Sequence, residues 1–289
     1  MDASLPEQRI VEAAVLVTRS GAVTGWASLR LHGGTFFDGR AADGRTARSV
    51  PLVLPGQSRR ERPGVSFSYE RLEPAELTTL LGIPCTRPRR ALFDEMRRAP
   101  TLRDAVVAMD MAAAARIMSI GRMRSHVATR AGWAGVEQVR AALDLADEDS
   151  RSPQETRARL IWIMDAQLPR PHVNPPVFDR AGRLLGYPDL LDVEAGLVVE
   201  YDGDDHRSSR RHSDDVDREA LFRAHGLEVT RLTTRDVGAP DRAVIRLHTA
   251  RSRARWLPPA RRAWTLTVPE DYRIELPLDI ELDLRGEAP

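Results

Sequence analysis

The chain has 289 residues, enough for two domains at roughly 150 residues each. Its 42% hydrophobic content supports a real core, and its 29% charged content, with no apolar run approaching ~20 residues, excludes a membrane-spanning protein. A net charge of +1 does not by itself argue for a polyanionic partner, and the single cysteine, Cys85, excludes an internal disulfide framework and any cysteine-based zinc site.

The N-terminus, "MDASLPEQRIVEAAVLV", has no basic region and no small-residue cleavage site. No signal peptide is therefore read, and a cytoplasmic location is expected. Residues 7–17 read as a helix, and 21–33, "GAVTGWASLRLHG", as a short packed helix ending at Gly33–Gly34. A turn-rich loop over 36–49 leads to strands at 50–54 and 65–69, separated by the basic loop "PGQSRRERPG". Residues 73–82, "EPAELTTLLG", read as a short helix with a glycine stop. Helices follow at 88–98, 101–117 and 135–149, the second with Thr101 as N-cap and Asp104 in its first turn.

The second half opens at 150–168. Ser152 is the expected N-cap, Pro153 takes the first helical position, and Glu155 stands three residues after the cap, a capping-box pattern. Strands are expected at 174–179, 184–193 and 197–202, then a polar helix over 210–226, a strand over 227–233 and a basic helix over 240–256. That order makes one α/β unit whose sheet is covered by helices on either face. The tail over 258–289 is acidic and alternating, broken by prolines, and either packs on an edge or lies loose.

Residues 188–206, "PDLLDVEAGLVVEYDGDDH", end an apolar run in acid, glycine and histidine. Strands avoid Asp. A hairpin through 193–196 would set Asp189 beside Glu200, with Asp202 on the same strand face and His206 folding back after Gly203. Carboxylates held together repel unless a cation shares their space. Hard oxygen ligands suit Mg²⁺ or Mn²⁺. Such an ion can activate water, and His206 could move the proton. Asp204 and Asp205 read as surface charge. Asp214, Asp217 and Arg218, on the following helix, read either as a solvated ion-pair face or as support for the site. Glu155 reads either as a cap partner or as a ligand to metal or water.

The stretches "SPQETRARL", "GRLLGYPDLLDVEAGLVVEYDGDDH" and "DDVDREALFRAHGLEVTRLTTRDV" resemble the domain related to the very-short-patch-repair (Vsr) endonucleases, in the PD-(D/E)XK superfamily. The resemblance covers residues 150–240. It implies a restriction-endonuclease-like mixed sheet flanked by helices. It also implies a catalytic set of Glu155, Asp189, Glu200, Asp202 and His206, with Asp189, Glu200 and Asp202 holding Mg²⁺ or Mn²⁺. The superfamily's lysine is replaced by Asp202, and Vsr-like members also lack that lysine and lean on histidine. Over 10–145, "GAVTGWASLRLHG", "GIPCTRPRRALFDEMRR" and "AVVAMDMAAAAR" resemble actinobacterial AbiEi-type antitoxin-like proteins. Members commonly begin with a DNA-binding winged helix; this chain begins too late to include one, so promoter binding is not expected.

All 43 basic residues are arginine, so any task ordinarily given to lysine must fall to another group or to a metal. Arginine binds phosphate bidentately and stacks on bases. Arg207, Arg210 and Arg211 lie beside the acidic cluster, where a backbone clamp would be needed, and Arg218 joins them as a candidate nucleic-acid contact. Other arginine groups, 59–62, 87–90 and 251–255, are further candidate contacts that read mainly as ordinary surface. Aromatics make up 5% of the chain, too few for a stacking platform, so duplex contact through phosphates is expected.

The sequence therefore predicts a mostly helical α+β recognition domain over 1–148, able to engage a protein partner. A nuclease domain over 149–257 and an acidic tail over 258–289 follow. The expected activity is metal-dependent hydrolysis of DNA in repair or defence; the alternative is a catalytically inactive DNA-binding regulator of antitoxin type.

Overall fold

The computed structural model describes residues 5–18, 20–56, 58–203, 209–273 and 275–286, with backbone alone over 209–216. The chain is mixed α/β and divides into two compact units, Met1–Glu148 with Leu276–Pro289, and Asp149–Glu275. Among the described residues no helix is long and apolar enough to cross a membrane.

The first unit begins with α1 (Pro6–Ala14), β1 (Ala22–Val23), α2 (Gly25–Leu31), β2 (Val50–Val53) and β3 (Val65–Ser68). Residues 73–82 do not form the expected helix. Glu73 and Glu76 close a capping box around a single 3₁₀ turn. The chain then enters β4 (Leu77–Leu80), which pairs antiparallel with β5 (Ile83–Thr86). Leu81 and Gly82 both have positive φ, 52° and 78°, so the expected helix-stop glycine is instead the second residue of a two-residue hairpin turn. The sheet order is β3-β2-β1-β5-β4.

Four helices complete this unit: α3 (Pro88–Arg97), α4 (Leu102–Ala114), α5 (Ile120–Ala128) and α6 (Val136–Leu145). Thr101 caps α4 by accepting from the Asp104 amide, as expected. The sequence reading missed α5, although Ser119 caps it in the same way.

Charge inside this unit is balanced by ion pairing. On α3, Arg90 is fully buried and donates to Asp94 at 3.0 Å and to Glu76 at 2.9 Å. Arg97 grips the other oxygen of Asp94 at 2.8 Å, and Arg130 takes the second oxygen of Glu76 at 2.7 Å. Burial opposes the charge on Asp94, but Arg90 and Arg97 outweigh it and hold the carboxyl below its ordinary range. The guanidiniums of Arg90, Arg97 and Arg130 also lie over the Trp133 ring. Arg90, read from sequence as one of a surface group, is therefore a core residue.

The second unit runs α7 (Pro153–Leu160), a π-helical turn (Ile161–Asp165), β6 (His172–Val173), β7 (Val177–Asp179), β8 (Leu184–Gly186), β9 (Leu190–Asp192) and β10 (Leu197–Asp202). It continues with α8 (Ser209–Ala224), β11 (Glu228–Thr233), α9 (Thr234–Val237), α10 (Pro240–Arg253) and β12 (Trp264–Thr265). The main sheet has the order β11-β10-β9-β6. β9 and β10 form the expected antiparallel hairpin, with Asp192 opposite Leu197 and Leu190 opposite Val199. β11 returns parallel to β10 through α8.

Alternation along the strands fills two cores. Leu190, Leu197 and Val199 pack with Trp162 and Leu247 on the face covered by α7 and α10. Leu191 and Val198 pack with Phe222 of α8 and with Leu185 and Trp264 on the other. The expected strand over 184–193 is broken. Gly186 has φ 150° and is followed by Tyr187–Pro188, so β8 leaves the main sheet and joins the small sheet β12-β7-β8.

Of the two alternatives for the tail, packing on an edge holds for its first part, whereas its last part is helical rather than alternating. Trp264 and Thr265 pair with β7, and the last segment is a helix, α11 (Leu278–Leu284), that belongs to the first unit. Leu278 and Leu282, four apart, are its buried residues. Asp279 lies in its first turn, where acid favours a helix, and Ser119 donates to its carboxylate. Arg122 pairs with Asp283.

Arg90→Ala is expected to destabilise the first unit by about 3–5 kcal/mol, because Asp94 and Glu76 stay buried with a lost partner. Urea denaturation of the full chain measures it, and a loss below about 1 kcal/mol would show that the network relaxes.

Candidate active site

The site is built where β9 and β10 run side by side. Pro188 restricts the backbone entering β9, and Asp189 sits one residue before the strand. Leu190 is opposite Val199, so Asp189 falls opposite Glu200 on the face shared with Leu191 and Val198. The Asp189 carboxylate accepts from the Tyr201 amide at 2.6 Å.

Glu155 reaches the same place from α7. Ser152 caps that helix by accepting from the Glu155 amide at 3.2 Å. The reciprocal half of the box is displaced by one residue: the Glu155 carboxylate accepts from the Arg151 amide, at 2.9 Å, rather than from Ser152. The same oxygen accepts from Asn174 Nδ2 at 2.9 Å, while the Asn174 amide donates to the Asp189 carbonyl at 3.1 Å. Asn174 thus ties the helix acid to the strand acid. It has φ 45°, a conformation asparagine tolerates better than most residues.

Burial pushes the Asp189 carboxyl up to about 8, and the charges of Glu200 and Glu155 push in the same direction. The Tyr201 amide and Arg218 oppose them without cancelling them. Acids from α7 and β10 therefore lie near enough to Asp189 for their charges to raise its carboxyl.

Arg218 projects from α8 and donates to Glu200 Oε2 at 2.9 Å. Its partner is thus an acid of the candidate site rather than a neighbour on its own helix. Room for its stem comes from Gly186. A Cβ there would lie 2.8 Å from Arg218 Cδ and 3.2 Å from the Phe222 ring. Asp202 sits further toward solvent, 3.6 Å from Arg231, which also holds Glu219 at 2.8 Å. His206 and Arg207 lie outside the described residues, as do the side chains of Arg210 and Arg211 on α8.

Sequence reasoning missed Asn174, Arg231 and the space-making role of Gly186. The Asn-Pro-Pro run at 174–176 was a usable signal for a turn there. Nothing local marks Arg231, whose role follows from strand pairing with Glu200.

Among the described residues, no three side chains of His, Cys, Asp or Glu could hold a metal ion between them. A magnesium-type ion keeps several waters and binds through one or two carboxylates. Asp189 and Glu200, which the strand register sets opposite each other, are the two carboxylates such an ion would use. Compared with protein-family models, curated proteins and solved structures, the chain matches none.

Two outcomes follow. A carboxyl with a raised folded pKa favours the folded state at low pH, and that advantage is lost as pH rises through about 8. In chelator, Asp189→Asn should therefore gain stability relative to wild type between about pH 4 and 8, then level off. Thermal midpoints across that range measure it, and parallel curves would contradict the shared site. Arg218→Gln should raise the Asp189 titration further, read from carboxyl ¹³C shifts; a fall would place Arg218 elsewhere.

Proposed function

We propose that the second unit is a metal-dependent DNA endonuclease, Vsr-like and of the PD-(D/E)XK type, acting in repair or defence. The observation that carries this reading is the strand register that sets Asp189 opposite Glu200, with Asn174 tying Glu155 to the Asp189 backbone. The chain order also supports a restriction-endonuclease-like arrangement: an acid-bearing helix, an antiparallel pair carrying two acids, then a helical crossover to a parallel strand.

Asp189 and Glu200 would hold Mg²⁺ or Mn²⁺, with Asp202 beside them and Glu155 acting through water. Bound there, the ion would supply Lewis-acid stabilisation of phosphate charge and an activated water. The chain's own contributions are separable. Burial and the Tyr201 amide orient Asp189. Asn174 fixes Glu155. His206 would transfer the proton, and Arg207, Arg210 and Arg211 would grip the scissile strand's phosphates. The first unit, AbiEi-like by resemblance, would recognise a target or a protein partner, and the whole would work in the cytoplasm.

One observation favours a second reading, an inactive DNA-binding regulator that keeps the nuclease fold as a scaffold. Arg218 already neutralises Glu200.

Supercoiled plasmid incubated with the full chain and Mn²⁺ separates the two. Nicking that Asp189→Ala abolishes supports the nuclease. Binding without nicking supports the regulator, and neither binding nor nicking removes both.

A further inference from the structure

The sequence reading favoured nucleic-acid contacts around Arg207–Arg218 and kept 251–255 as a weaker candidate; in the second unit Arg253 of that group lines a built groove. A cleft of about 540 Å³ opens between α10 and the edge strand β11, lined by Arg223, Arg242, Arg246 and Arg253 together with the acids Glu228 and Asp236. In a chain whose net charge is +1, this is a local excess of positive charge.

The acids are already engaged. Asp236 is 1% exposed and its carboxylate caps α9, accepting from the Thr233 amide at 3.0 Å and the Thr233 hydroxyl at 2.9 Å. Arg246 stands 3.5 Å from its other oxygen. Glu228 lies 3.9 Å from Arg223. Arg242 and Arg253 are exposed and make no ion pair among the described residues.

Helical spacing turns these groups into a line. Arg242, Arg246, Thr249 and Arg253 are four, three and four residues apart on α10, beside the buried stripe of Ala243, Leu247 and Ala250. At 1.5 Å per residue the line runs roughly 16 Å. A straight row of guanidiniums suits a regular polyanion, because each fork can take a phosphate bidentately. Strand addition by a peptide is disfavoured: Arg223 donates to the Val229 carbonyl of β11 at 2.9 Å, occupying an acceptor that an added strand would need.

We infer that this cleft binds the phosphodiester backbone of duplex nucleic acid, through Arg242, Arg246 and Arg253. The inference rests on the nucleic-acid side of the proposed function and not on its chemistry. It is tested with the full chain in chelator, by fluorescence anisotropy of a short labelled duplex across a salt series. Arg242→Ala with Arg253→Ala should weaken binding and lower the slope of log affinity against log salt by about 2, since each lost phosphate contact removes about 0.9. Thr249→Glu, which leaves every arginine in place, should also weaken binding.

Wild-type affinity and slope in both cleft variants would overturn the inference, as would a wild-type chain that binds no duplex. So would a polyglutamate peptide that binds more tightly than the duplex and is lost in the same variants, which would make the occupant an acidic protein segment. Duplex binding lost in the cleft variants while wild type fails to nick plasmid sustains this inference and removes only the nuclease.

Discussion

The register of β9 on β10 is the constraint on which the rest of the second unit depends. Leu190 and Val199 feed one core, Leu191 and Val198 the other. A slip of one residue would exchange the faces of every side chain on the strand. Both faces of this sheet are covered, so no slip is tolerated. Asp189 is thereby forced opposite Glu200, and the apolar packing holds two acids together against their repulsion. Burial raises the Asp189 carboxyl, and the charge of Glu200 held opposite it pushes the same way.

The two units treat buried charge in opposite ways. In the first, Arg90, Arg97 and Arg130 match Asp94 and Glu76 so closely that Asp94 ionises more readily than usual. Such a network holds α3 against its neighbours. In the second, acids outnumber the cation provided: Arg218 answers Glu200, while Asp189 stays raised. An unbalanced cluster at a strand end is where a cation or a reacting group can enter.

Much of this was legible along the chain. Ser152, Pro153 and Glu155 announced the start of α7, and Gly196 between two apolar runs announced the β9–β10 hairpin. From that hairpin the pairing of Asp189 with Glu200 followed by strand alternation alone. The failures were equally specific. Residues 73–82 carry a helix's opening signals, but only one turn forms before Leu77–Leu80 finds β5 as a partner. The final segment reads as alternating, yet Leu278 and Leu282 also satisfy a helical period, and packing selected the helix. Arg90 looks like a member of a surface arginine run, yet it is fully buried.

The sequence by itself determined the local elements with strong periods and caps, and the identity of the three acids, because spacing of two and of three to four residues is a property of the backbone. Tertiary structure alone decided which arginines face carboxylates and which face solvent. It also decided that Asn174 would bridge Glu155 to Asp189, and that α10 would align Arg242, Arg246 and Arg253 beside the edge of β11. Those outcomes depend on contacts between segments far apart in the chain, and a guanidinium's partner is fixed by where the fold brings a carboxylate, which no local pattern encodes.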